Sequence, residues 1–87
     1  MSPSARRLRK TIHSAEHLAL MELLAAERNQ AGLTQQKLAK RLGKHQSFVA
    51  KYEGGERRLD VAEFVAIGRA MGADPVRILR LFMRRIG

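Results

Sequence analysis

The chain has 87 residues, with 17 Lys and Arg against 8 Asp and Glu, no Cys and no Trp, for a net charge of +9. That length holds one small domain with a single, mostly aliphatic core, and the missing Cys excludes a disulfide scaffold, a thiolate metal site and a cysteine nucleophile. No apolar run approaches the roughly 18 residues of a membrane span, no apolar signal-peptide stretch follows the basic start, and so much positive charge calls for a polyanionic partner.

Residues 1–13 read as a basic arm, with Arg6, Arg7, Arg9 and Lys10 and no acid, and 14–87 as the folded domain. Ser14 can cap a first helix carrying Leu20, Leu23, Leu24 and Ala31 on one side, with Glu16 in its first turn and Gly32 at its end. Thr34 can cap a short second helix, with Leu38, Ala39 and Leu42 inward and Gly43 closing it. A third runs from about His45 to Tyr52 and ends at Gly54-Gly55. Asp60 and Glu63 form a capping-box start for a fourth, which turns Val61, Phe64, Val65, Ile67 and Ala70 at least partly inward and stops at Gly72. Asp74-Pro75, a cap followed by an N1 proline, opens a fifth that reaches about Ile86. No β-branched alternation is long enough for a strand. The expected fold is all-α, a compact domain of five short helices.

The charge is segregated along this chain. Residues 33–52 hold Lys37, Lys40, Arg41, Lys44 and Lys51 with no acid, and 75–87 hold Arg77, Arg80, Arg84 and Arg85 with no acid. The acids fall in the two stretches between these blocks. A mixed solubilising surface would intersperse the signs.

The second and third helices, joined by about three residues including Gly43, have helix-turn-helix spacing. Ala39 is small where two helices would cross closely, and Gly43 tolerates the positive φ of a tight turn. Leu38, Leu42, Val49 and Tyr52 can pack the pair onto the core. Gln46 and Ser47 then stand at the start of the second helix of the pair, with side chains suited to base edges rather than to phosphates alone.

The run Gly32-Leu33-Thr34-Gln35, with Leu38-Ala39, Leu42-Gly43, Gln46-Ser47, Val49, Tyr52-Glu53 and Gly55, resembles the Xre/Cro/phage-repressor family of helix-turn-helix regulators. Arg57-Arg58-Leu59-Asp60 and Gly72-Ala73-Asp74-Pro75 are also similar to compact members, and the likeness spans about residues 18–80. It implies a lambda-repressor-like five-helix fold, a cytoplasmic setting and dimeric binding of double-stranded DNA at a palindromic operator. It also implies roles for individual residues. Gln35 would contact a phosphate and brace the reading residue, Gln46 and Ser47 would read bases, and Ala50 and Lys51 would face the groove one turn on. Gln36, Lys37, Lys44, His45 and Arg57 complete the expected DNA-binding set. Arg28 and Glu53 match an ion pair of the family, expected to orient the recognition helix. Phe48 is larger than many residues at its position, so it either packs under the helix or touches a thymine methyl.

Other constellations carry less. His13 and His17 are four apart, but no third ligand accompanies them, so no metal is expected. Ser, His and Asp occur without a nucleophile context, and neither catalysis nor a cofactor is expected. Met21, Met71 and Met83 read as core or interface filler. In the last helix Val76, Leu79, Met83 and Ile86 form an apolar stripe, part expected to close the core and the rest to make a dimer interface. A basic amphipathic helix on an anionic membrane or in a protein partner is the competing reading of that helix. The function expected is a DNA-binding transcriptional regulator, a repressor whose inducer, if any, acts through a partner, proteolysis or concentration. An antitoxin or controller protein, with a protein partner on the fifth helix, and an RNA-binding adaptor are the alternatives. The adaptor lacks an aromatic stacking platform.

Overall fold

The computed structural model describes residues 15–87, so the basic arm, the Ser14 cap and His13 lie outside the described residues. Five helices follow in chain order: α1 (Ala15–Gln30), α2 (Gln35–Leu42), α3 (Gln46–Glu53), α4 (Val61–Ala70) and α5 (Pro75–Ile86). There is no strand among the described residues.

The short helices are held at their ends by local chemistry. The Thr34 side chain accepts the Lys37 amide at the start of α2, and Gly43 closes that helix at φ 67°. His45 caps α3 by accepting the Ser47 amide at Nδ1, a role that its residue type did not advertise. Asp60 and Glu63 complete a reciprocal capping box on α4, and Asp74 caps α5 ahead of Pro75. Each such cap contributes about 1 kcal/mol to helices too short to persist alone.

Packing supplies the rest. Met21 and Leu24 from α1, Leu33, Leu38 and Ala39 from the α2 region, Val49 and Tyr52 from α3, Ile67 and Met71 from the α4 region and Ile78 from α5 form one core. Ala39 is 1% exposed where α2 and α3 meet, and these two helices are in the most extensive contact of any pair. A Cβ on Gly68 would sit 3.0 Å from Pro75 Cγ, so the bare backbone there lets α5 begin directly against α4.

Three expectations of burial fail. Ala31 lies beyond the last turn of α1 and is exposed, and Met21 joins Leu24 on the buried side of that helix instead. Val61, at the first position of α4, is 79% exposed, because the helix faces the core only from Phe64 and Ile67 onward. The α5 stripe does not close the core at all. Val76, Leu79, Met83 and Ile86 are 53%, 44%, 59% and 39% exposed, and Ile78, with half-buried Leu81 and Phe82, makes the inner face instead. The periodicity of α5 fits two adjacent apolar strips, and the longer one points outward.

The segregated charges are partly reunited by folding. Arg77 on α5 holds Glu27 on α1 through two bonds of 3.0 and 2.9 Å, and Arg85 reaches Glu22 at 2.6 Å. The hydrogen bonds to Glu27 raise the Arg77 pKa further above the ordinary guanidinium value. Half of the basic residues of α5 therefore serve to fasten α1 and α5 together.

Candidate nucleic-acid interface

Helix α3 lies with Val49 and Tyr52 fully buried, while Gln46, Ser47 and Lys51 are exposed and Ala50 is half-buried between them. At about 100° per residue these four share one outward side. The three-residue connection 43–45 sets this helix against α2, whose exposed Gln36 and Lys37 lie in its first turn. Lys44 and His45 stand, exposed, in the turn itself.

No Lys of the block 33–52 is ion-paired among the described residues; the pairs found there join Arg28, Arg57, Arg77 and Arg85 to Glu53, Glu63, Glu27 and Glu22. Arg41 donates to the Ala70 carbonyl at 2.9 Å. Lys37 and Lys51 are thus exposed and unpaired beside α3, and Lys44, its ammonium 5.6 Å from the Phe48 ring centre, forms no ion pair either; this makes the outward side of α3 the natural place for a polyanion.

Beneath that side runs a continuous polar chain. Arg28 Nε donates to Glu53 Oε2 at 2.7 Å and Nη2 donates to Oε1 at 2.9 Å. The two side chains are only 12% and 8% exposed, and these hydrogen bonds raise the Arg28 pKa still further. Arg28 Nη1 also donates to the Leu33 carbonyl at 2.8 Å, tying down the α1–α2 connection. Glu53 Oε1 accepts a third bond, from Gln35 Nε2 at 3.0 Å. Gln35 Oε1 in turn accepts from Gln46 Nε2 at 3.0 Å. The last residue of α3 is thereby connected, through the first residue of α2, to the first residue of α3. The link from Glu53 to Gln35 had no signature in the sequence, where the two lie 18 residues apart.

Ser47 Oγ lies 3.0 Å from His45 Nδ1. The one lone pair of Nδ1 already accepts the Ser47 amide, so the Ser47 hydroxyl lies beside the cap and is exposed. Phe48 is half-buried under the helix, edge-on to Tyr52 with ring centroids 5.5 Å apart. The Arg57 guanidinium lies 4.8 Å from the Phe48 ring centre and holds Glu63 through two bonds of 3.0 and 2.8 Å. Those bonds hold the Glu63 carboxyl below its ordinary pKa. Arg57, expected on the DNA, thus pairs with Glu63 and lies over the Phe48 ring, bracing the 54–60 connection against α3.

Tyr52 is fully buried and its hydroxyl has no hydrogen-bond partner among the described residues; burial raises its pKa well above the ordinary phenol value. No group of three or more His, Asp or Glu side chains among the described residues is placed to hold a metal ion. None of the described helices is long and apolar enough to cross a membrane.

The architecture and the outward side of α3 define a helix-turn-helix protein. The helix-turn-helix family model matches residues 24–78, and the chain belongs to the XRE-type helix-turn-helix family, a family of DNA-binding transcription regulators. Among solved structures, the chain is similar to an XRE-family-like protein from Pseudomonas syringae pv. tomato. Identity is 47% and the TM-score 0.82, over 93% of this chain and 99% of that one. It is also similar to the restriction-modification controller protein C.AhdI from Aeromonas hydrophila, at 25% identity and TM-score 0.69, over 75% of this chain and 98% of that one. The controller protein C.Esp1396I shares the fold at 18% identity and TM-score 0.78, over 85% and 97% of the two chains. No curated protein sequence matches the chain.

Proposed function

We propose that this regulator is a repressor that binds a palindromic DNA operator as a homodimer in the cytoplasm. In this reading Gln46 and Ser47 read base edges in the major groove, with Ala50 and Lys51 facing the groove one turn on. Gln35, Gln36, Lys37, Lys44 and His45 lie along the backbone. The observation that carries it is the coincidence, on the α2–α3 face, of exposed hydrogen-bonding side chains with the exposed lysines Lys37, Lys44 and Lys51, none in an ion pair among the described residues. A glutamine amide matches the edge of adenine, donating to N7 and accepting from the N6 amine.

The two-turn α3 spans only a half-site, and two copies about a two-fold axis would set their recognition helices one DNA turn apart, about 34–36 Å. The uncovered stripe of Val76, Leu79, Met83 and Ile86 supports α5 as the surface joining them. It continues into a shallow apolar groove lined by Leu20, Leu59, Val61, Phe64, Leu79 and Phe82, which would give the exposed Val61 a partner. With three lysines per subunit on phosphates, log affinity should fall against log salt with a slope of about −5. If the basic arm also grips DNA, deleting residues 1–10 makes that slope shallower.

Sedimentation with and without operator duplex tests the assembly. The expected species is two chains per palindrome, and Leu79→Asp with Met83→Asp should abolish it and weaken operator binding by about a hundredfold or more, leaving the helical content unchanged. A single chain per site, or a dimer indifferent to these substitutions, would contradict it. A second reading, a controller protein of a restriction-modification system, is favoured by the likeness to C.AhdI over nearly all of that chain. It predicts an operator beside the genes of a restriction-modification system.

A further inference from the structure

We infer that Glu53 is a positioning residue for base recognition, setting through Gln35 which way round the Gln46 amide is presented to DNA; this rests on Gln46 being the reader. Gln46 is exposed on the outward side of α3, whereas Glu53 ends the same helix with its side chain only 8% exposed. Gln35 Nε2 lies 3.0 Å from Glu53 Oε1, and Gln35 Oε1 lies 3.0 Å from Gln46 Nε2.

An ionised carboxylate can only accept hydrogen bonds, whereas an amide has one accepting end and one donating end. Paired bidentately with Arg28, Glu53 is fixed in place with both oxygens accepting. Its oxygen can meet only the NH2 end of Gln35, since the reversed amide would set carbonyl against carboxylate. With that end committed, Gln35 must offer its carbonyl to Gln46. Gln46 must then answer with its own NH2 group. What is left for DNA is one N–H and the carbonyl oxygen of Gln46, neither of which is bonded among the described residues. One donor beside one acceptor is the complement of the adenine edge. A reversed Gln46 would turn its carbonyl towards Gln35 and its NH2 group outward, exchanging the places of donor and acceptor on the free edge. The negative charge of Glu53 thus reaches the DNA as an amide orientation, carried by two hydrogen bonds from α3 to α2 and back.

The experiment must separate this from a role in folding alone. Arg28→Met with Glu53→Leu replaces the ion pair with apolar groups of similar size, an exchange that commonly preserves stability, but removes the acceptor that orients Gln35. Base preference at each operator position is measured for the wild type, the double variant and Gln46→Ala, alongside melting temperature. The expected result is a double variant that melts within a few degrees of the wild type. At the pair read by Gln46, its roughly five- to hundredfold discrimination collapses towards that of Gln46→Ala, with preferences elsewhere kept. A stable double variant with wild-type preference at that pair overturns the inference. If the double variant does not fold, Gln35→Met breaks the chain with the ion pair in place; lost discrimination supports the inference and retained discrimination overturns it. Should Gln46→Ala itself leave every preference unchanged, Gln46 is not the reader. That failure belongs to the proposed function and is distinguishable because it involves neither Glu53 nor Gln35.

Discussion

Two acid-free basic segments, residues 33–52 and 75–87, look equivalent along the chain and end in different circumstances. In the second, Arg77 and Arg85 turn back to Glu27 and Glu22 of α1 and spend their charge on holding two helices together. In the first, Lys37, Lys44 and Lys51 form no ion pair among the described residues, and Glu53 at the end of α3 is occupied by Arg28 and Gln35. A basic run therefore says little about a polyanion until the fold shows which charges are answered from within. Here the basic residues beside α3 stay unpaired among the described residues, whereas two of the four arginines of α5 are answered from α1 on a helix whose other side is apolar and uncovered.

The largest effect should come from the ion pair under the DNA-facing block. Arg28→Ala leaves Glu53 nearly buried without its partner, at a cost of about 3–5 kcal/mol. For a domain whose whole stability is on the order of 4–13 kcal/mol, thermal melting should show a fall of well over 10 °C. Unchanged melting with weakened DNA binding would instead make Arg28 a direct phosphate contact.

Next in size, Arg77→Ala should test whether the α5 charges are internal. Its side chain is 50% exposed but Glu27 is 9% exposed, so the expected loss of melting temperature is smaller than that of Arg28→Ala but measurable. The salt dependence of DNA binding should not change. A shallower salt slope for this variant would place Arg77 on DNA and erase the contrast between the two segments.

The converse comes from the first segment. Lys51→Ala or Lys37→Ala should leave melting within about 0.5 kcal/mol of the wild type. Each should lower the salt slope of a dimer by about two, one phosphate per subunit. Titrations at several salt concentrations, with melting on the same samples, measure both quantities. A stability loss without a change in slope would reverse the assignment.

The smallest expected effect concerns Tyr52, which sits at the centre of the core with an unbonded hydroxyl. Tyr52→Phe removes a buried polar atom and keeps the ring against Phe48, so denaturant unfolding should give a stability equal to the wild type or up to about 1 kcal/mol higher. A clear loss would mean that the hydroxyl has a partner.

Helix positions and caps were legible in the sequence because each is set by neighbours a few residues apart. Thr34, Asp60 with Glu63, and Asp74-Pro75 act where the sequence puts them. So does the Gly43 turn, at φ 67°. The outward side of α3 was legible for the same reason, since Val49 and Tyr52 fix its rotation. What was not legible depends on contacts between distant residues. Val61 and the α5 stripe are apolar at helical spacing, yet their burial depends on which side of each helix the core occupies, and Ile78 takes the place given to Leu79. Arg57 carries the same formal charge as Lys51, but Glu63 and Phe48 fold against it. The Glu53–Gln35 bond joins two polar residues whose types are compatible with many other partners.

The account rests most heavily on α3 as the reader of a DNA sequence, and selection from a random duplex pool tests it directly, run in parallel with the wild type and Gln46→Ala. The wild type should enrich an inverted repeat with half-site centres one helical turn apart. Gln46→Ala should enrich the same repeat with preference lost at one symmetric pair of positions, binding it about 1–3 kcal/mol more weakly and non-specific DNA about as well. Enrichment of no sequence by the wild type, or an identical preference at every position from the variant, would contradict the claim that this helix reads bases through Gln46.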